Sequence, residues 1–304
     1  MLEQRVEAER RIHRALHTGA TELDISGLGL TKLPDSIHTI ASLSVLNIHH
    51  NRIAVLPESM GSLARLTELN VHHNRLVALP KSITALSQLT KMNVDYNRLA
   101  TLPESIGSLT GLISLGLASN ELTRLPQSVE ALLKLNTLRL GFNQFADVPA
   151  PLKSLVYLAE LYLGDNRIGD LPEWFCQLTG LTVLSLYNNQ IANLPDCLGR
   201  LKNLTALSLY GNRLTRLPES LGTLTGLVQL YIHDNRLLAL PESLGALANL
   251  AILHVYDNRL TELPESFNAL TSLTTVHLHR NRFAHVPERI AGLVSPDLQA
   301  WDVS

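Results

Sequence analysis

The sequence predicts an α/β solenoid, a stack of short parallel strands joined by turns and 3-10 segments and closed at its N-terminal end by a helix. Three observations predict it. Asparagine recurs at Asn51, Asn74, Asn97, Asn120, Asn143, Asn166, Asn189, Asn212, Asn235, Asn258 and Asn281, every step being 23 residues. Proline keeps that step from Pro34 to Pro287, and only Pro151 and Pro296 lie outside the column. Between these markers apolar residues hold fixed places, as in Leu181, Leu184, Leu186, Ile191, Leu194, Leu198 and Leu201. A constant period of this length marks units that bury their apolar faces only against one another.

Each element follows from local chemistry. In residues 1–19, Val6, Ile12 and Leu16 stand among charges, which predicts an amphipathic capping helix ending near Gly19. Residues 20–294 hold twelve repeats, read as one elongated domain. In each, two leucines with a single residue between them, such as Leu207 and Leu209, put both side chains on one strand face. Proline lacks the N–H that a ladder needs and turns the chain across the convex side. Strands about 4.8 Å apart give a parallel sheet lining a concave face roughly 50 Å along its arc. Residues 295–304 form a tail whose Leu298 and Trp301 either fold back over the last repeat or lead into a longer parent.

The pattern L-x-x-L-x-L-x-x-N-x-L-x-x-L-P, carried by nearly the whole chain, resembles the leucine-rich repeat superfamily in its 23-residue intracellular form. The resemblance implies a horseshoe-shaped solenoid that binds proteins and has no catalytic machinery. It also implies that the asparagine column is buried and bonds to backbone groups. The segment from Thr18 to Gly27 is similar to the start of bacterial members, including those that precede Roco-type GTPase domains. Similar repeats occur in Ras-associated and plant intracellular scaffolds. A bacterial source, in the cytoplasm or as an effector delivered to a host cell, is what this likeness implies. The first repeat departs from the pattern, with Leu28 where asparagine belongs.

Composition excludes several classes. The chain is 45% hydrophobic and 17% charged, which is too apolar for disorder. Lys+Arg 25 against Asp+Glu 27 leaves no basic excess for nucleic acid or an anionic membrane. Two cysteines, Cys176 and Cys197, stand in different columns of adjacent repeats. They point to no disulfide framework and to a reducing compartment. No phosphate loop, nucleophile elbow or metalloprotease helix occurs, so no cofactor or enzymatic activity is expected.

Function is expected where the framework leaves side chains free, at the outward strand positions. Six of the seven tyrosines and eight of the twelve histidines lie there. Tyrosine and arginine are enriched in interface hot spots. The expected partner site on the concave face is therefore Tyr162, Tyr187, Tyr210, Tyr231, His233, His254, Tyr256, His277 and His279, with Arg139 and Phe142. Asp165, Asp234 and Asp257 offer charge complementarity. A row of arginines following the asparagines is offset by an acidic row following the prolines. On the convex side Pro151, Trp174 and Cys197 replace a serine column and form a small apolar patch.

No metal site is assigned. The residues nearest to one are His254, His277 and His279, and His49 beside His72, for which neither a full ligand set nor a second shell is identifiable. The expected role is a monomeric, non-catalytic module binding a protein of unknown identity. The alternatives are the recognition segment of a larger GTPase, kinase or ubiquitin ligase, and a histidine-mediated metal-binding surface.

Overall fold

A computed structural model describes residues 2–284. They fall into two compact units, one running to Phe145 and including Pro149–Leu158, the other comprising Ala146–Val148 and the chain from Ala159 onward. Pro287, Leu298, Trp301 and the whole of 295–304 lie outside the described residues.

The first unit begins with α1, Leu2–Thr18. Its buried residues are Ala8, Ile12 and Ala15, spaced by four and three, so they share one helical face. Val6 and Leu16 are 60% and 42% exposed, which corrects the apolar face expected from sequence. Two alanines let the helix lie close where larger side chains would hold it away. Arg11 Nη1 donates to the carbonyl of Asp24 at 3.0 Å, and Ser36 Oγ donates to Glu9, so the helix is tied to the first strand and the turn beyond it. Gly19, at φ 63, ends it in the left-handed region.

Six three-residue strands follow: β1 Glu22–Asp24, β2 Val45–Asn47, β3 Glu68–Asn70, β4 Lys91–Asn93, β5 Ser114–Gly116 and β6 Thr137–Arg139. Each pairs in parallel with the next, as Leu46↔Leu69↔Met92↔Leu115↔Leu138, and these central residues are buried. The second unit repeats the plan with β7 Glu160–Tyr162, β8 Val183–Ser185, β9 Ala206–Ser208, β10 Gln229–Tyr231, β11 Ile252–His254 and β12 Thr275–His277. Its buried row is Leu161, Leu184, Leu207, Leu230, Leu253 and Val276. Proline precedes most of the 3-10 turns in an extended conformation and its carbonyl opens the turn, as when Met60 N–H donates to Pro57 O at 3.1 Å.

The asparagine column clamps neighbouring repeats. Asn212 Nδ2 donates to Leu186 O and Leu209 O at 2.9 Å, and to Tyr210 O at 3.3 Å. Its Oδ1 accepts the N–H of Ile191 at 3.0 Å. One amide thus satisfies groups of two adjacent repeats that water cannot reach. The acidic row after the prolines caps the next turn: Glu58 accepts from the N–H groups of Lys81 and Ser82 at 3.2 and 2.9 Å. Those bonds hold the Glu58 carboxyl below its ordinary pKa, Ser82 contributing most. Among the described residues no ion pair joins this row to the arginine row.

The cysteines depart from expectation, because Cys176 and Cys197 form a disulfide with a Cα–Cα distance of 5.8 Å. The two columns differ, yet they touch. They are 21 residues apart, as are Gly61 and Ser82, Gly199 and Ser220, and Gly222 and Ser243. A Cβ placed on any of those glycines would lie within 3.0 Å of the Cβ of its serine. The cysteines replace one such close pair. With both thiols paired, the cysteines no longer point to a reducing compartment.

Candidate functional site

Three outward positions per repeat carry the chemistry: the last residue of the strand, the residue two further on, and the one after that. The third is conformationally special. His50, His73, Tyr96, Ser119, Phe142, Asp165, Asn188, Asp234, Asp257 and Arg280 all have φ between 48 and 56, and Gly211 has φ 66. This left-handed region suits glycine, asparagine and aspartate and penalises bulky side chains. Asp165, Asp234 and Asp257 therefore stand where the backbone favours them, a framework reason that sequence periodicity does not reveal.

In the second unit the middle position forms one continuous stack. Tyr187, Tyr210, His233, Tyr256 and His279 follow one another with ring centroids 4.8, 4.4, 4.3 and 4.5 Å apart and planes within 7–16° of parallel. Gly164 makes room for the first ring, since a Cβ there would sit 2.4 Å from Tyr187 Cε1. At the strand-end position Tyr231 meets His254 edge-on at 5.0 Å, and His254 stacks on His277 at 4.1 Å. All these rings are half-buried. They pack on one another across strands, so their enrichment has a packing component beside any role in recognition.

Burial pushes the His254 imidazole down to about 4, helped by His277 and His233, and lowers His233 and His279 for the same first reason. These rings are neutral at physiological pH. Burial also raises the Tyr210 and Tyr256 phenols, with neighbouring aspartates adding to it.

The strand-end column is interrupted by two small residues, Ser185 and Ser208, between Tyr162 and Tyr231. The result is a recess of about 360 Å³, bounded by these two tyrosines and by Tyr187 and Tyr210, with Gln229 at one edge. Tyr162 and Tyr231 are held upright by donating their hydroxyls to Glu160 at 3.2 Å and Gln229 at 3.4 Å. Three strand spacings separate them, about 14 Å. Ser185, Ser208 and Gln229 escaped the sequence reading. The available signal was two serines interrupting a run of rings in one column.

The first unit carries a different surface. His50, His73 and Tyr96 stack at 4.5 and 4.1 Å, and His49 stacks on His72 at 4.6 Å. His72 is pushed down to about 4 by burial and by His49, His50 and His73. Arg139 does not stand alone: its Nη1 lies 3.4 Å from Asp95 Oδ2. Asp95 is buried, accepts from Ala118 N–H at 2.7 Å, and has its carboxyl raised by that burial. Phe142 is half exposed to solvent at a left-handed position. Of the residues expected to form one partner site, Arg139 and Phe142 thus belong to the first unit and the rest to the second. On the turn side Pro151 is buried, while Trp174 and Cys197 are half-buried. Among the described residues no helix is long and apolar enough to cross a membrane.

The leucine rich repeat family model matches residues 18–76, 156–214 and 225–283. No curated protein matches the chain. Among solved structures, the Arabidopsis receptor kinase HAESA, in complex with the peptide hormone IDA and the co-receptor SERK1, is 27% identical with a TM-score of 0.77. The match covers 92% of this chain and 54% of that one. The plant peptide hormone receptor RGFR1, in complex with RGF2, is 26% identical with a TM-score of 0.76, over 88% of this chain and 45% of that one. The chain thus spans about half the length of these receptors. An internalin from Listeria monocytogenes shares the fold at 23% identity and a TM-score of 0.72, with 94% and 92% covered. The period, the parallel strands and the asparagine clamps agree with the family match, which takes in more than half of the sequence: this chain belongs to the leucine-rich repeat family.

Proposed function

We propose that the chain is a non-catalytic recognition module whose second unit holds a protein partner on its sheet face, anchored in the tyrosine recess. Residues 20–294 form the repeats in this reading and 1–19 the cap. The observation that carries it is the recess itself: four tyrosines around a floor of Ser185 and Ser208, with room for one or two apolar side chains. Buried aromatic pockets of this kind are where interface energy concentrates. Asp234 and Asp257 stand one residue beyond the stacked rings, and Asp165 one beyond Gly164, so a basic residue flanking the apolar anchor would complement the site. Support comes also from the plant receptors, similar in fold and sequence, that hold peptide hormones in their complexes.

Ser208→Arg fills the recess without removing a ring. A partner captured from the native host by the unaltered protein should be lost from this variant at unchanged melting temperature. Retention of the same partner by the filled variant would overturn the assignment. Replacing Tyr187, Tyr210 and Tyr231 together by alanine is the weaker test, because it also removes stacking contacts worth about 0.5–1.5 kcal/mol each. A role as the recognition segment of a larger signalling enzyme, and bacterial cytoplasmic or delivered-effector settings, stay compatible with this reading and add nothing to its test.

A further inference from the structure

We propose that His49, His50 and His72 in the first unit form a binding site for a divalent late first-row transition cation, with zinc as the reference ion. Each offers a ring nitrogen, and these ligand atoms all lie within 4.8 Å of one another. His49 and His72 are near parallel at 4.6 Å, and His50 stands edge-on to both at 5.2 and 5.0 Å. A tetrahedral ion bound at about 2.0–2.1 Å brings neighbouring nitrogens to roughly 3.3 Å, so binding requires His49 and His50 to turn towards His72.

One further observation points to a ligand. Asn70 prepares His72 as a metal donor. The backbone N–H of His72 donates to Asn70 Oδ1 at 3.4 Å, which identifies that atom as the amide oxygen. The same oxygen lies 2.7 Å from His72 Nδ1, and because it can only accept, Nδ1 carries the hydrogen. The Nε2 lone pair is then left for a cation, and the ring is held in place by the outer-shell bond that metal-ligating histidines characteristically make. His49 Nδ1 is buried without a hydrogen-bond partner, as are His233 Nδ1 and His279 Nδ1 at the same position of other repeats.

Neutral imidazoles select zinc, nickel and copper over magnesium and calcium, and three protein ligands leave one position for water. This site lies in the first unit and is independent of the tyrosine recess. The equivalent neighbours His254 and His277 stack similarly, but they join no such three-ligand group among the described residues.

Calorimetric titration of the full chain with zinc chloride, and separately with magnesium chloride, tests the site. One equivalent of zinc should bind at micromolar concentration and magnesium should give no heat. His49→Ala combined with His72→Ala should weaken zinc binding at least 30-fold. Asn70→Ala should weaken it about tenfold or more at unchanged melting temperature. His254→Ala combined with His277→Ala, and His13→Ala combined with His17→Ala, should leave it unchanged. Cobalt should give the intense visible bands of a tetrahedral site only when His49 and His72 are present. No zinc heat, unchanged affinity in the His49 and His72 variant, or a loss that follows either control pair would overturn the proposal.

Discussion

Asn51 in the first unit and Asn212 in the second make the same four hydrogen bonds, each to groups of its own repeat and the one before. The residues standing just before them could hardly differ more: His49 and His50 in one, Tyr210 and Gly211 in the other. The framework is indifferent to what it displays, so the two units carry a nitrogen-rich face and a phenol-rich face on the same clamps. The difference extends to the turn side, where a disulfide joins Cys176 to Cys197 in the second unit only, among the described residues. Chemistry in this chain therefore divides by unit, while stability divides by column.

The comparison breaks first at the clamps if it is wrong. Asn97→Leu and Asn212→Leu each strand a backbone N–H and several carbonyls, at about 1–3 kcal/mol per group, so each should cost about 3 kcal/mol or more. Equal losses in urea unfolding would show that one framework serves both units, and a clear difference would sink that claim. The disulfide sharpens the contrast next. Cys197→Ser should cost about 3 kcal/mol on the entropy of the loop it closes, and reductant should destabilise the native protein but not this variant. The smallest effect is the pH dependence of the histidines. His72 and His254 have folded pKa values depressed to about 4 from 6.5. Below pH 6.5 the unfolded chain takes up protons that the folded chain refuses, so the stability these rings allow is intact above pH 6.5 and falls away towards pH 4. The melting temperature should drop over that window, and less steeply in His72→Gln with His254→Gln.

Much of this was legible in the sequence, because a 23-residue period fixes which residues face inward and which asparagine must bridge. The outward columns were legible for the same reason, and so was the tyrosine row. What periodicity could not show was contact between different columns. Cys176 and Cys197 looked unrelated because their columns differ by two places, and a separation of 21 has meaning only once successive turns are seen to lean on each other. The capping helix shows the same limit: Val6 and Leu16 looked like its buried face, but the space over the first strand admits only Ala8, Ile12 and Ala15. The recess over Ser185 and Ser208 is an absence of bulk, which no residue announces by itself. Nor could a single sequence disclose that Asn70 orients His72, since the two are neighbours only through the local fold of the chain.

The left-handed residue that precedes most of the clamping asparagines has a consequence for how such a chain can change. Strand-end and middle positions hold glycine, serine, aspartate, tyrosine and histidine alike, so recognition there can drift without backbone strain. At the third position aspartate, asparagine or glycine is at ease, whereas Tyr96, Phe142 and Arg280 work against their own backbone. A version rebuilt with asparagine at those three places would melt later and show a barer surface, which marks them as spots where robustness has been yielded to whatever the surface is there to meet.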